Sequence, residues 1–126
     1  MNILLVDDEK KFASMLAKRL KLRGIKVDYF FDANTAIQRV ENCKNYDVAV
    51  LDVKMPGMGG IELRRKLSSI DPRMKFIFLT GHGSKNDYKT GISEASYYLP
   101  KPLKINDLIE TLYVVAPQNE ENKNNF

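Results

Sequence analysis

An α/β fold with a single parallel sheet, covered by helices on both faces, is the class this sequence predicts. Three observations carry it. Short apolar runs without helical period occur five times along the chain, the reading of strands buried on both sides. Between them lie segments whose apolar residues recur at helical spacing. Gly24 and Asp71-Pro72 stand where such segments should stop. Strand and helix in regular alternation, with no internal repeat, give a wound parallel sheet, and right-handed crossovers leave few ways to wind it.

Ile3–Val6 is the first strand, apolar throughout and turning acidic at Asp7-Asp8. From Glu9 to Arg23 a stripe of Phe12, Met15, Leu16 and Leu20 predicts a helix that Gly24 closes. Lys26–Phe31, KVDYFF, is rich in β-forming residues and gives the second strand. Ala33, Ala36, Ile37 and Val40 make the face of a second helix, and Asp47–Leu51, DVAVL, the third strand. Ile61–Ile70 carries Leu63, Leu67 and Ile70 on one side and ends before Pro72. Phe76–Leu79, FIFL, is the fourth strand. Ser84 with Asp87 resembles a capping box opening a helix to about Ser93, although Thr90 and Gly91 build it poorly. Tyr97–Leu99 is a short last strand, and Ile105, Leu108, Ile109 and Leu112 form the face of a closing helix. Residues 1–116 therefore read as one domain. The last ten, PQNEENKNNF, are polar and aperiodic and read as a disordered tail or the start of a linker.

Composition narrows the function classes. A chain of 126 residues with 44% hydrophobic and 29% charged residues is ordinary for a soluble globular domain with a real core. The formal charge of +4 is concentrated between Lys10 and Lys26. Such a run suits a solvated helix face; without interleaved exposed aromatics or a reading element, it predicts no sequence-specific nucleic-acid binding. A lone cysteine, Cys43, excludes an internal disulfide and suits a reducing compartment. The opening MNILLVDDE is too short in apolar residues for a signal peptide, and no stretch approaches membrane-spanning length. A cytoplasmic protein without membrane contact is expected.

Function in an open parallel sheet gathers at the carboxyl ends of the strands. Here strand one ends in Asp7-Asp8, strand three in Asp52, strand four in Thr80 and strand five in Lys101-Pro102. Each residue alone has a plain structural reading; Asp8, for instance, also suits capping the first helix. Together they put three carboxylates, a hydroxyl and an ammonium on one rim. Carboxylates so close repel one another, so some protonate or a cation joins them. An all-oxygen set of this size suits Mg²⁺, which keeps waters and accepts a phosphoryl oxygen. Asp52 is then a nucleophile for a phosphoryl group, with Thr80 and Lys101 holding its remaining oxygens. The stretch VLDVKMPG around Asp52 fits that use, because Pro56 and Gly57 turn the chain and leave the acid at an accessible lip.

Asp7-Asp8 after strand one, LDVKMPG around Asp52, LTGHG around Thr80 and YLPKP around Lys101 resemble the receiver domain of bacterial two-component response regulators over about Met1 to Ala116. The resemblance implies a flavodoxin-like (βα)5 sheet in the order 2-1-3-4-5, of which the chemotaxis member of the family is a known example. It also implies Asp52 as phosphoacceptor from a sensor histidine kinase or phosphotransfer protein. Mg²⁺ is implied on Asp8, Asp52 and the Lys54 backbone carbonyl, with Asp7 helping through water, and a cis peptide is implied before Pro102. Tyr98 takes the place of the family's aromatic switch, coupled to Thr80. Lys54 and His82 lie where side chains flank the water that hydrolyses the phosphate. The fourth helix, last strand and closing helix become the output face, on a monomer or a phosphorylation-dependent dimer.

Gly59 and Glu94-Ala95 depart from the family's usual residues. A haloacid-dehalogenase-type phosphohydrolase wants a second carboxylate two residues after the nucleophile, where Lys54 stands. An FMN carrier wants a small, hydroxyl-rich phosphate loop where Asp7-Asp8-Glu9 stand. The expectation is a signalling domain rather than an enzyme. The alternatives are the receiver portion of a larger transcription regulator or hybrid kinase, or a receiver-like module that never takes phosphate.

Overall fold

Burial on both sides is what the apolar run at the N-terminus demands, and it organises the sheet. The computed structural model describes residues 1–43, 45–81 and 97–116. In it, β1 (Asn2–Val6) lies between β2 (Lys26–Phe30) and β3 (Val48–Asp52), both parallel to it. β4 (Lys75–Thr80) and β5 (Tyr97–Pro100) extend the sheet, giving the order β2-β1-β3-β4-β5. That is the expected flavodoxin-like order, with its winding reversal between β1 and β3, where ligand sites of open α/β sheets form.

Alternation along each strand feeds two cores. Ile3, Leu5, Val48, Val50, Ile77 and Leu79 face α1 (Lys10–Leu22) and α4 (Ile105–Val115). Leu4, Val6, Ala49, Leu51, Phe76 and Phe78 face α2 (Ala33–Asn42) and α3 (Gly60–Ile70). All of these strand residues are buried, which is why the strands read as apolar runs rather than alternating ones.

α1 and α3 follow their expected bounds within a residue, while α2 and α4 run two and three residues past the last apolar position of their expected faces; one position needs correction. Met15 is not on the buried stripe of α1; it is exposed, and Ala13, Leu16, Ala17 and Leu20 make the contact with the sheet. The two alanines let the helix lie close to the sheet, and the 100° step per residue then turns Met15 outward. α2 is capped by Asp32, whose carboxylate accepts the Thr35 N–H at 2.8 Å, a cap the helical spacing alone does not reveal. Much of the basic face of α1 is solvated, but Lys10 and Lys21 lie over the rings of Phe31 and Tyr29. The helix expected from Ser84 to about Ser93, together with His82 and the tail 117–126, lies outside the described residues. No helix among the described residues is long and apolar enough to cross a membrane.

Candidate functional site

β1 and β3 are neighbours, so their carboxyl ends deliver Asp7-Asp8 and Asp52 to one place. One oxygen from each of Asp7, Asp8 and Asp52 lies within 4.8 Å of the others. Asp7 is fully buried and Asp52 nearly so, whereas Asp8 is half-buried. Glu9 occupies the N-cap of α1 without a side-chain cap bond, so Asp8 is not the cap of that helix and is left to the acidic cluster.

Asp52 is the last residue of β3, paired in register with Leu79, and the next backbone N–H, of Val53, donates to the Leu79 carbonyl at 3.0 Å. The loop that follows is pinned underneath. The Gly60 N–H donates to the Val53 carbonyl at 2.9 Å. A Cβ on Gly60 would fall onto the Asp52 carbonyl, and one on Gly59 would come within 2.8 Å of the Val53 carbonyl. Glycine is needed at both positions for close approach, since neither has a left-handed φ. Gly57, at φ +76°, makes the turn itself. The departure at Gly59 thus has a local reason in this chain.

Lys101 closes the cluster. Its backbone N–H donates to the Thr80 carbonyl at 2.7 Å and the Lys101–Pro102 peptide is cis, as expected. Its ammonium lies 2.8 Å from Asp7 Oδ2 and 3.6 Å from Asp52 Oδ2. It also donates to Glu9 Oε1 at 2.7 Å and sits 4.6 Å from the centre of the Phe12 ring. Glu9 and Phe12 are the site residues that sequence reasoning missed. The acidic run Asp7-Asp8-Glu9 and the three-residue step from Glu9 to Phe12, one turn of helix, were the available signal.

The electrostatics follow from this crowding. Burial first, and then the charge on Asp7, push Asp52 up to about 7; Lys101 works the other way, and a hydrogen bond with Asp8 raises it further. Burial likewise holds Asp7 above its ordinary value against the hydrogen bond from Lys101. For Lys101, burial disfavours the ammonium, but the bonds to Asp7 and Glu9 outweigh it and keep its pKa above the usual lysine value. Three carboxylates against one ammonium leave the cluster short of positive charge. A small hard dication answers that deficit, and the donor set, all oxygen and half-open at Asp8, fits Mg²⁺.

Thr80 ends β4 beside this rim, opposite Pro100 in register. Tyr98 pairs with Phe78 and stacks on it, ring centres 5.1 Å apart, on the face toward α2 and α3. Tyr97, its neighbour, points the other way and is 41% exposed. By strand alternation Thr80 shares the Phe78–Tyr98 face, so the hydroxyl and the ring are in line along one side of the sheet. Lys54 follows Asp52 by two residues and is exposed at the loop.

Comparison with known proteins agrees with this geometry. The family described as "Response regulator receiver domain" matches residues 3–113. The transcriptional regulatory protein TctD of Salmonella typhimurium is 34% identical over 109 residues, which are 86% of this chain and 48% of the relative. The chain spans about half the length of several such curated relatives. A response regulator receiver domain protein from Clostridium thermocellum superposes with a TM-score of 0.84 at 31% identity, covering 90% of this chain and 91% of that one. The response regulator TrrA of Thermotoga maritima, solved in complex with Mg²⁺–BeF, superposes at 0.77 with 28% identity over 90% of this chain and 96% of its own.

Proposed function

The chain belongs to the response regulator receiver family, and from that premise we propose that it is a phosphoacceptor, taking a phosphoryl group onto Asp52 from a sensor histidine kinase or a phosphotransfer protein. The observation that carries the reading is the meeting of Asp7, Asp8, Asp52 and Lys101 at the carboxyl ends of β1, β3 and β5. The complex of TrrA with Mg²⁺ and a phosphoryl-like fluoride supports it by analogy.

Asp8, Asp52 and the Lys54 carbonyl would hold Mg²⁺, with Asp7 assisting. When bound, the ion neutralises carboxylate and phosphoryl charge that would otherwise repel. In the transfer, a carboxylate oxygen of Asp52 attacks phosphorus. The phosphorus–nitrogen bond of the donor phosphohistidine breaks, and its electron pair stays on the departing imidazole. The product is an acyl phosphate. Lys101 reaches one phosphoryl oxygen, and the Thr80 hydroxyl donates to another. Asp7, buried beside Lys101, fixes where the ammonium can go. Hydrolysis returns the carboxylate when water attacks the same phosphorus, and Lys54, two residues beyond Asp52 and exposed at the loop, flanks its path.

The drawing-in of Thr80 is also the readout. As its hydroxyl moves to the phosphoryl group, the Tyr98 ring moves along the same face of the sheet, altering the surface around β5 and α4. The output controlled by that surface lies on this reading in another protein or segment, in keeping with transcriptional regulators among the relatives.

A small acyl phosphate donor, Mg²⁺ and intact-mass spectrometry test the proposal. One phosphoryl group should appear on the wild type and none on Asp52→Ala or in excess chelator. Equal labelling of Asp52→Ala would overturn it.

A further inference from the structure

Lys101 is held by more than the site needs. Its ammonium has three protons. One is donated to Glu9 at 2.7 Å, Asp7 Oδ2 forms a close ion pair at 2.8 Å, and Asp52 stands farther off at 3.6 Å. The Phe12 ring lies beneath at 4.6 Å. The two close carboxylates differ in one respect that decides which can let go. The Asp7 side chain is completely buried, so a contact broken there leaves a charge without water and with the Glu9 backbone N–H as its remaining donor. The Glu9 side chain is 62% exposed, so water replaces a lost ammonium at little cost.

We propose that Glu9 is a positioning residue for the phosphotransfer: it holds the Lys101 ammonium at the rim before phosphorylation and is exchanged for a phosphoryl oxygen when Asp52 is modified. The inference rests on Asp52 being the phosphoacceptor, and it adds a residue that slows the reaction rather than one that promotes it. Asp7 and Phe12 keep the ammonium beside Asp52 while Glu9 releases it, so the lysine swings rather than leaves. Glu9 also sets an additional negative charge at the entry of an anionic donor. Both effects oppose the first encounter with phosphate, and neither is needed once the acyl phosphate exists.

Glu9→Gln is the discriminating variant. It is isosteric and exposed, and it retains the backbone N–H that donates to Asp7 Oδ1 at 2.9 Å. Labelling of Asp52 by a small acyl phosphate donor at saturating Mg²⁺ should be about two- to fivefold faster than in the wild type, the range of an exposed ion pair. The gap should narrow as salt rises, because an exposed pair is screened. The decay rate of the finished acyl phosphate should change much less than the rate of its formation. A readout independent of phosphorylation is the Lys101 Cε–Hε resonance in metal-free protein, which should move in Glu9→Gln while resonances in the two cores stay in place. Unchanged or slower labelling of the variant, a decay rate altered as much as formation, or an unmoved Lys101 resonance each overturns the role of Glu9. Those outcomes leave the phosphoacceptor reading standing, since the wild type is still labelled on Asp52. A wild type that takes no label at Asp52 overturns both.

Discussion

Replacing Asp52 with asparagine should make the metal-free protein more stable at neutral and alkaline pH, although it removes the phosphoacceptor. The carboxyl ordinarily titrates near 3.8 and is raised to about 7 in the folded chain, first by burial and then by Asp7. A group raised on folding gives its stability below the unfolded pKa and loses it as pH climbs through the folded one. The wild type therefore loses stability between about pH 4 and pH 7 from this residue. About three units at ~1.4 kcal/mol each set a ceiling of roughly 4 kcal/mol. Asp7 shares the proton balance, so a difference on the order of 2–4 kcal/mol at pH 8 is expected, shrinking toward pH 4. Urea unfolding of Asp52→Asn and wild type in chelator, repeated across that range, measures the difference directly. Mg²⁺ should narrow the gap by stabilising the wild type. An asparagine variant no more stable at pH 8, or a gap that does not vary with pH, would refute the reasoning.

Gly60→Ala should destabilise by about 1–3 kcal/mol, because its methyl group falls onto the Asp52 carbonyl; it should also slow labelling of Asp52, as read by urea midpoint and intact mass. Asp32→Ala removes the α2 cap and should cost about 1 kcal/mol in urea unfolding without changing the labelling rate. Beryllofluoride with Mg²⁺ should shift the amides of Thr80 and Tyr98 together. Thr80→Ala should leave phosphorylation possible while uncoupling Tyr98, and undiminished Tyr98 shifts in that variant would exclude the route.

Much of this was legible because physics writes it locally. A strand buried on both faces must be apolar at every position, so IleLeuLeuVal at the start and ValAlaValLeu in the middle could hardly be anything else. The site was legible for a related reason: a charged residue at the end of such a run is conspicuous, and a parallel sheet brings all carboxyl ends to one edge. What escaped depends on distances that sequence does not encode. Glu9 meets Lys101 across 92 positions, and only the folded sheet brings them together. Met15 fits a helical stripe on paper, yet the small Ala13 and Ala17 are on the side of α1 that is buried against the sheet. Gly59 looked like a departure until the approach of α3 to the Val53 carbonyl showed that a side chain there would collide. The Asp28–Tyr46–Arg39 cluster, which ties β2 to α2 and the approach to β3, left no pattern in the sequence at all.

On the proposed function, Asp52 itself becomes the acyl phosphate. Borohydride reduction of protein labelled in Mg²⁺, followed by peptide mapping, reads the modified position directly, since reduction of an aspartyl phosphate leaves homoserine in its place. Homoserine at position 52, absent without Mg²⁺, is the predicted result. Label that resists reduction, or homoserine at Asp7 or Asp8 with position 52 intact, would contradict it.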